Sequence, residues 1–150
     1  MLRKMIFCFL GTMSIACAAE GDAFEQGTVK DIEYRQNIFK SIKAQIQNIG
    51  MVLKSEAGTD ADLSELSAAL HAQAKLVEAA FKKETQALDA ETKAKNAIWT
   101  NFDDFKSEAD NFVEITGTFY KKAQENEKIS LKDFKSVVGS CKTCHKDYKD

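Results

Sequence analysis

Four long stretches of the chain place apolar residues three and four positions apart, and no proline interrupts any of them. This spacing puts the apolar side chains on one face of an α-helix, and without proline few points force a helix to end. The chain of 150 residues is long enough for one domain with a real core. No convincing alternating strand pattern occurs, so the predicted fold class is all-α.

The first two apolar stripes are joined by a short polar turn. Residues 57–60, which read Ala-Gly-Thr-Asp, end the first predicted helix, and the second begins near Asp62. A polar connection over residues 82–96 follows the second helix. The first stripe, within residues 28–55, consists of Ile32, Phe39, Ile42, Ile46, Ile49 and Leu53. The second stripe consists of Leu63, Leu66, Leu70, Val77 and Phe81.

The last two stripes complete the pattern. The fourth helix is predicted to begin at Ser130, an N-cap residue with Asp133 three positions later. Four amphipathic helices with short polar joins predict an up-down-up-down four-helix bundle. The third stripe consists of Ile98, Phe102, Phe105, Ala109, Phe112 and Phe119. The fourth consists of Leu131, Phe134, Val138, Cys141, His145 and Tyr148.

The N-terminus has the layout of a secretory signal. Arg3 and Lys4 give a basic start, an apolar run of about a dozen residues follows, and small residues at positions 16–19 come before the first acidic residue. The run is too short to span a bilayer. We predict a signal peptide over residues 1–19 and an exported, periplasmic domain over residues 20–150. An uncleaved anchor and lipidation of Cys17 are the alternatives.

Loss of residues 1–19 would remove two basic residues and no acidic one, which leaves 19 basic against 23 acidic residues and a net charge of −4. The two signs are interspersed along the chain, so no basic stripe indicates nucleic acid as a partner. No second apolar segment indicates a membrane span. Of the four cysteines, the mature domain keeps only Cys141 and Cys144.

Residues 141–145 read Cys-Lys-Thr-Cys-His, the pattern of a c-type haem attachment site. Each thiol can form a thioether with one haem vinyl group, and the histidine that follows can ligate the iron. Cys141 and His145 are four residues apart, which places them on one helix face. We therefore predict one covalently bound haem c, attached through Cys141 and Cys144 with His145 as the axial iron ligand.

Other interpretations of this motif fit the sequence less well. A structural zinc site needs four ligands, and beyond the motif the mature chain offers only the distant His71. A thioredoxin-like redox pair needs a βαβ setting, which the sequence lacks. A disulfide would close a very short, strained loop within a helix. Chance occurrence is the remaining alternative.

Three stretches together resemble the class II cytochromes c, the cytochrome c′ family. Residues 138–149, which include the haem motif, look like the C-terminal helix of that family. Residues 34–39 read Tyr-Arg-Gln-Asn-Ile-Phe, and residues 92–99 read Thr-Lys-Ala-Lys-Asn-Ala-Ile-Trp. The resemblance covers essentially the whole mature chain, in order, and homodimers are common among such relatives.

The resemblance implies that Arg35 lies by a haem propionate, that Gln36 lies beside the haem edge and that Thr92 approaches the haem. Lys149 stands where many relatives carry arginine. Periodicity marks Arg35 independently, because it falls on the buried stripe between Ile32 and Phe39. A buried arginine needs an anion, unless its stem packs while its head reaches water.

Phe39 lies one turn after Arg35 and is expected on the haem face opposite His145. The resemblance implies that low-spin relatives carry methionine there, whereas a phenyl ring offers no ligand atom. We therefore expect a five-coordinate, high-spin iron that binds nitric oxide or carbon monoxide. The alternative is a single-electron carrier between periplasmic redox proteins. No distal acid/base pair is evident, so we expect no enzyme in the ordinary sense.

Overall fold

The computed structural model describes residues 24–125 and 128–150, so the predicted signal peptide lies outside the described part of the chain. This part contains five α-helices, one 3-10 helix and two short strands. In chain order the elements are β1 (Glu25–Gln26), α1 (Val29–Leu53), α2 (Asp62–Ala74), the 3-10 helix (Ala79–Phe81), β2 (Lys83–Glu84), α3 (Ala97–Thr100), α4 (Phe102–Gln124) and α5 (Leu131–Tyr148).

The four long helices form the predicted up-down-up-down bundle. α1 packs along α2, α2 along α4 and α4 along α5, whereas α1 and α5 approach each other at few positions. One of them lies near Gly50 of α1, which faces the ring of Phe134 of α5. Across residues 24–125 and 128–150, no helix has the length and apolar character needed to cross a membrane.

Side-chain caps fix where α1 and α5 begin. Thr28 and Asp31 form a capping box at α1, and Ser130 and Asp133 form another at α5, as predicted. The Asp133 carboxylate also accepts a 2.6 Å hydrogen bond from Lys122 Nζ of α4. The Lys122 ammonium and the Ser130 donors hold the pKa of Asp133 well below its usual range. The start of α5 is therefore tied to the end of α4.

The core is apolar and lies between the helices. A cavity-creating substitution in it costs about 2–5 kcal/mol for leucine or isoleucine to alanine. Its least exposed large side chains are Ile49, Leu70, Ile98, Phe105, Phe119 and Val137.

The second and third helices are shorter than periodicity predicts. α2 ends at Ala74 rather than near Phe81, which instead closes the 3-10 helix. The Phe81 carbonyl accepts a 2.9 Å hydrogen bond from Trp99 Nε1, and this indole takes the place of a helical partner. The third predicted helix breaks at Asn101, whose backbone leaves the helical region with φ −134° and ψ 54°.

Two extended pairings also occur where the sequence predicts none. β1 pairs in parallel with β2, with Glu25 opposite Lys83, and Ala94 forms an antiparallel bridge with Lys149. Both involve residues of the polar connection or its flanks. Backbone groups outside the helices need partners, and these bridges supply them.

The buried face of α5 differs from the predicted stripe. Val137 is fully buried, whereas Leu131 is 51% exposed and His145 is also exposed. The face that turns inward runs through Phe134, Val137, Cys141, Cys144 and Tyr148. A periodicity of 3.6 residues fits both sets, and packing of α5 against α4 selects the second.

Candidate functional site

The predicted site residues of α1 meet the long connection before α3. Arg35 Nη1 donates a 2.6 Å hydrogen bond to Thr85 Oγ1, and Nη2 donates a 3.0 Å hydrogen bond to Thr92 Oγ1. Gln36 is exposed, and its Nε2 donates to the carbonyl of Glu91 at 3.1 Å. The structure therefore brings Arg35, Gln36 and Thr92 together at the connection before α3.

The same connection is fastened to the end of α5. Lys95 N–H donates to the Tyr148 carbonyl at 3.1 Å, and Asp150 N–H donates to the Lys93 carbonyl at 3.0 Å. The ammonium of Lys95 also donates to the Lys146 carbonyl at 3.2 Å. Residues 92–95 thus join the Arg35 side of the site to the helix that carries the Cys-x-x-Cys-His motif.

Arg35 is a buried cation. It is 2% exposed, which contradicts the alternative that its head reaches water. Its guanidinium carbon lies 5.0 Å from the centre of the Phe81 ring and 5.6 Å from that of Trp99. Burial lowers the pKa of Arg35, although the charge of Asp31 opposes the shift. A carboxylate partner would offset the desolvation of this buried cation. Among the described residues, no carboxylate lies within ion-pair distance of Arg35.

The two cysteines of the motif are half-buried free thiols on the inner face of α5. Cys141 Sγ lies 3.5 Å from the Val137 carbonyl, and burial raises its pKa. Burial, and to a lesser extent the carboxylate of Glu108, raises the pKa of Cys144 to about 11. Before haem is attached, thiols with raised pKa values keep their protons at neutral pH, which argues against a nucleophilic or redox thiolate.

Of the three motif residues predicted to hold the haem, only His145 is exposed. His145 lies in the last turn of α5, one residue beyond Cys144. That step turns about 100° around the helix and takes the side chain away from the inner face. Desolvation lowers the pKa of His145, and the charge of Lys149 lowers it further. The imidazole is thus neutral at neutral pH, the form that can bind a metal ion.

Phe39 is half-buried and packs edge-on against Phe81, with ring centroids 6.0 Å apart. Phe81 therefore contacts both Arg35 and Phe39. His71 lies elsewhere, between α2 and α4, where its Nδ1 is 3.2 Å from Thr116 Oγ1 and its ring stacks on Tyr120. The structure brings Phe39, and not His71, to the Arg35 end of the bundle.

Two partners in this region escaped the sequence analysis. Thr85 is fully buried and accepts the shorter of the two hydrogen bonds that Arg35 donates. It lies in an irregular segment, so no apolar periodicity marks it as buried. Glu108 of α4 has a buried Oε2 for which no hydrogen-bond partner exists within the described residues. The sequence does contain an indication of this burial. Glu108 follows the core residue Phe105 by three positions, which places both on the inner face of α4.

The donor set fits a haem with propionate groups. Arg35 supplies a buried cation that needs an anion, and Thr85 and Thr92 fix its orientation. Cys141 and Cys144 supply two unpaired inward-facing thiols, and Phe39, Phe81 and Trp99 supply apolar ring surface. α1, which carries Arg35 and Phe39, and α5, which carries the two cysteines, approach each other at few positions.

Comparison with known proteins gives one consistent result. A family model described as "Cytochrome C'" matches residues 30–149. The cytochrome c' of Rhodospirillum rubrum is 27% identical over 153 aligned residues, which cover 99% of each protein. That of Pararhodospirillum photometricum is 23% identical over 120 residues, or 79% of this chain and 95% of the relative.

Solved structures agree. The cytochrome c' of Rubrivivax gelatinosus matches with a TM-score of 0.71 at 27% identity, covering 80% of this chain and 94% of that chain. A nitric oxide complex of a variant cytochrome c prime from Alcaligenes xylosoxidans shares the fold, with a TM-score of 0.66 at 22% identity over 80% of this chain and 94% of that one. The chain belongs to the cytochrome c′ family, and its cofactor is a covalently attached haem c.

Proposed function

We propose that this protein is an exported haem protein of the periplasm that binds small diatomic gases such as nitric oxide and carbon monoxide. The proposal takes residues 1–19 as a signal peptide and residues 20–150 as the mature domain. Cys141 and Cys144 hold the haem, and His145 is its axial ligand. The bound haem supplies the iron at which a diatomic ligand binds. A single-electron carrier between periplasmic redox partners is the alternative, and neither function is an ordinary enzyme activity.

The observation that carries the placement is the buried, carboxylate-free guanidinium of Arg35 at the end of the bundle where α5 carries the motif. In this proposal Arg35 binds a propionate by charge-assisted hydrogen bonds, which are the strong class in proteins. Thr85 and Thr92 accept from the two terminal nitrogens of Arg35 and keep the guanidinium aimed along the connection. Gln36 contributes at the exposed edge.

Phe39 supports an open sixth position. It lies one turn beyond Arg35 on α1, its ring contacts Phe81, and it has no atom that can ligate iron. The ring excludes water and restricts entry to small ligands. Met51, the remaining methionine of the mature chain, is 37% exposed and lies near the far end of α1, and His71 is engaged with Thr116. The nitric oxide complex of the Alcaligenes xylosoxidans relative is consistent with this proposal.

Resonance Raman and absorption spectra of the oxidised and reduced holoprotein test the proposal. We expect high-spin, five-coordinate signatures in both states and a new band when carbon monoxide is added to the reduced protein. A six-coordinate low-spin spectrum in both oxidation states would contradict the open position and would favour the electron-carrier alternative. Failure to retain haem after denaturation would contradict attachment instead.

The electron-carrier alternative has its own support in a lysine-rich face of α5. The two functions are compatible, because carbon monoxide binds ferrous and not ferric haem, so a gas-binding protein also needs a source of electrons. The charge on this face of α5 indicates what kind of electron donor binds there.

A further inference from the structure

The outward face of α5 carries a row of lysines, here called the lysine row. It is formed by the side chains of five exposed residues and spans 17 residues of helix, or about 25 Å. Steps of three, seven and four residues keep Lys132, Lys135, Lys142 and Lys146 on one side of the helix. Lys149 follows at the C-cap, where the backbone is extended. At its middle, Gly139 adds no side chain, and the space beside it is open. The members are Lys132, Lys135, Lys142, Lys146 and Lys149.

The lysine row is not neutralised. No member of it forms an ion pair within residues 24–125 and 128–150, whereas eight lysines elsewhere do, among them Lys30, Lys82 and Lys106. Asp133 of α5 is already bound to Lys122 of α4. Asp147 is the one exposed acid within α5.

This clustering costs stability. Like charges three or four residues apart on a helix repel each other, as at Lys132 with Lys135 and Lys142 with Lys146. Lys132 also lies in the first turn of α5, where the helix dipole disfavours a cation, whereas it favours Lys146 in the last turn. On α4, by contrast, four acidic residues are exposed: Asp103, Asp104, Asp110 and Glu114. The two signs are interspersed along the linear sequence, whereas the folded helix gathers these lysines on one side.

We propose that the lysine row is the docking surface for a soluble redox protein with an acidic surface, which delivers single electrons to this protein. The inference rests on the proposed haem attachment to α5, because Lys142 lies between the two cysteines and Lys146 follows His145. A partner held on this face is held on the helix that carries the cofactor. A row of about 25 Å also matches the width of a small, transient interface.

The flanks of the row favour a protein over a membrane as the partner. A helix that lies on a bilayer inserts apolar side chains beside its basic residues. Beside this row the exposed residues Ser136, Thr143 and Asp147 are polar, and Leu131 at the start of α5 is the one large apolar side chain of α5 that is exposed. A single apolar side chain gives a helix little to insert into a bilayer. The mature domain carries a net charge of −4, so attraction of an acidic partner must come from this local surface and not from overall charge.

The test is the anaerobic reduction of the ferric holoprotein by a reduced, acidic plant-type ferredoxin, followed by stopped flow. Each ferredoxin cluster loses one electron, each ferric haem gains one, and no bond is made or broken. The variant K135Q/K142Q/K146Q removes three charges of the row. We expect its second-order rate constant to fall about tenfold at low ionic strength, and the difference to vanish as salt rises above the range where the Debye length is about 10 Å.

The matched control is K40Q/K43Q/K75Q, which removes three exposed lysines from other elements and changes the net charge equally. We expect its rate constant with ferredoxin to change less than about twofold, since its charges lie off the docking face. With the methyl viologen radical cation as the electron donor, the row variant should react as fast as the wild type or faster. If reduction by ferredoxin were slowed equally in the row variant and in the control variant, the proposal would be overturned.

Two further measurements separate this proposal from its alternatives. Haem retention on a denaturing gel, made on every variant, reports attachment, so a loss of haem would count against the proposed site and not against the lysine row. Co-sedimentation of the holoprotein with phosphatidylglycerol vesicles at physiological salt, abolished in the row variant only, would assign the face to a membrane and overturn the redox-protein partner.

Discussion

The buried guanidinium of Arg35 and the hydroxyl of Thr85 are joined by a 2.6 Å hydrogen bond across 50 residues of sequence. Both side chains are inaccessible to solvent, and a second hydroxyl, from Thr92, accepts from the other terminal nitrogen. Neutral hydroxyls orient a cation without cancelling its charge. This pair therefore preserves a positive charge that an anionic group can use.

Arg35→Leu should remove that charge while it keeps most of the packing against Phe81 and Trp99. A charge-assisted hydrogen bond of this kind typically contributes about 1.5–3 kcal/mol. We expect the reduction potential and its pH dependence to shift, because ferric and ferrous iron feel a propionate charge differently. Redox titrations from about pH 5 to about pH 9 measure this. Lys40→Leu on the exposed face of α1 is the control, and identical titrations for wild type and Arg35→Leu would refute the propionate contact.

The double variant Cys141→Ala/Cys144→Ala should lose its colour on acid–acetone extraction, whereas the wild type keeps it. The physical reason is that thioether bonds survive conditions that break iron ligation. Thr143→Ala, between the two cysteines, is the matched control and should keep its haem. Colour that remains with the double variant would show that the two thiols do not attach the cofactor.

Phe39→Ala should open the side of the pocket opposite His145. We expect carbon monoxide to bind the ferrous protein about tenfold faster, which corresponds to about 1.4 kcal/mol off the barrier. Phe39→Met should supply a thioether ligand and move the spectrum toward six-coordinate low spin. Phe24→Ala, which removes a ring that packs on Phe102, is the control. Unchanged rates in Phe39→Ala would place the ring outside the ligand path.

Asp133→Asn should destabilise the start of α5, since it weakens both the capping box with Ser130 and the ion pair with Lys122. Loss of a cap costs about 0.5–2 kcal/mol. The folded pKa of Asp133 is depressed, so its stabilisation is present above the unfolded value of about 3.9 and is lost as the pH falls toward the lower folded value. Denaturant unfolding at neutral pH and in acid measures both effects.

In that experiment Asp147→Asn, at the other end of α5, serves as the control. We expect it to unfold like the wild type at neutral pH, because Asp147 is exposed and has no ion pair with any described residue. If Asp133→Asn retained the full acid sensitivity of the wild type, the depressed pKa of Asp133 would not be its cause.

Local sequence determined the helical class, the N-cap at Ser130, and the haem motif on the last helix. These features depend on spacing within one helix or on a cap three residues away, and such short-range geometry can be derived from the order of residues. The burial of Arg35 was predicted for the same reason, because it falls on the apolar stripe of α1.

Tertiary structure alone decided the rest. Thr85 reached Arg35 because the connection after the 3-10 helix folds back over α1, and an irregular segment has no period from which to derive its path. α5 turned Val137 and Cys144 inward and left His145 exposed, since two stripes one residue apart fit its pattern equally and only packing against α4 distinguishes them. The lysine row likewise exists only on the folded helix, where residues scattered along the sequence share one face.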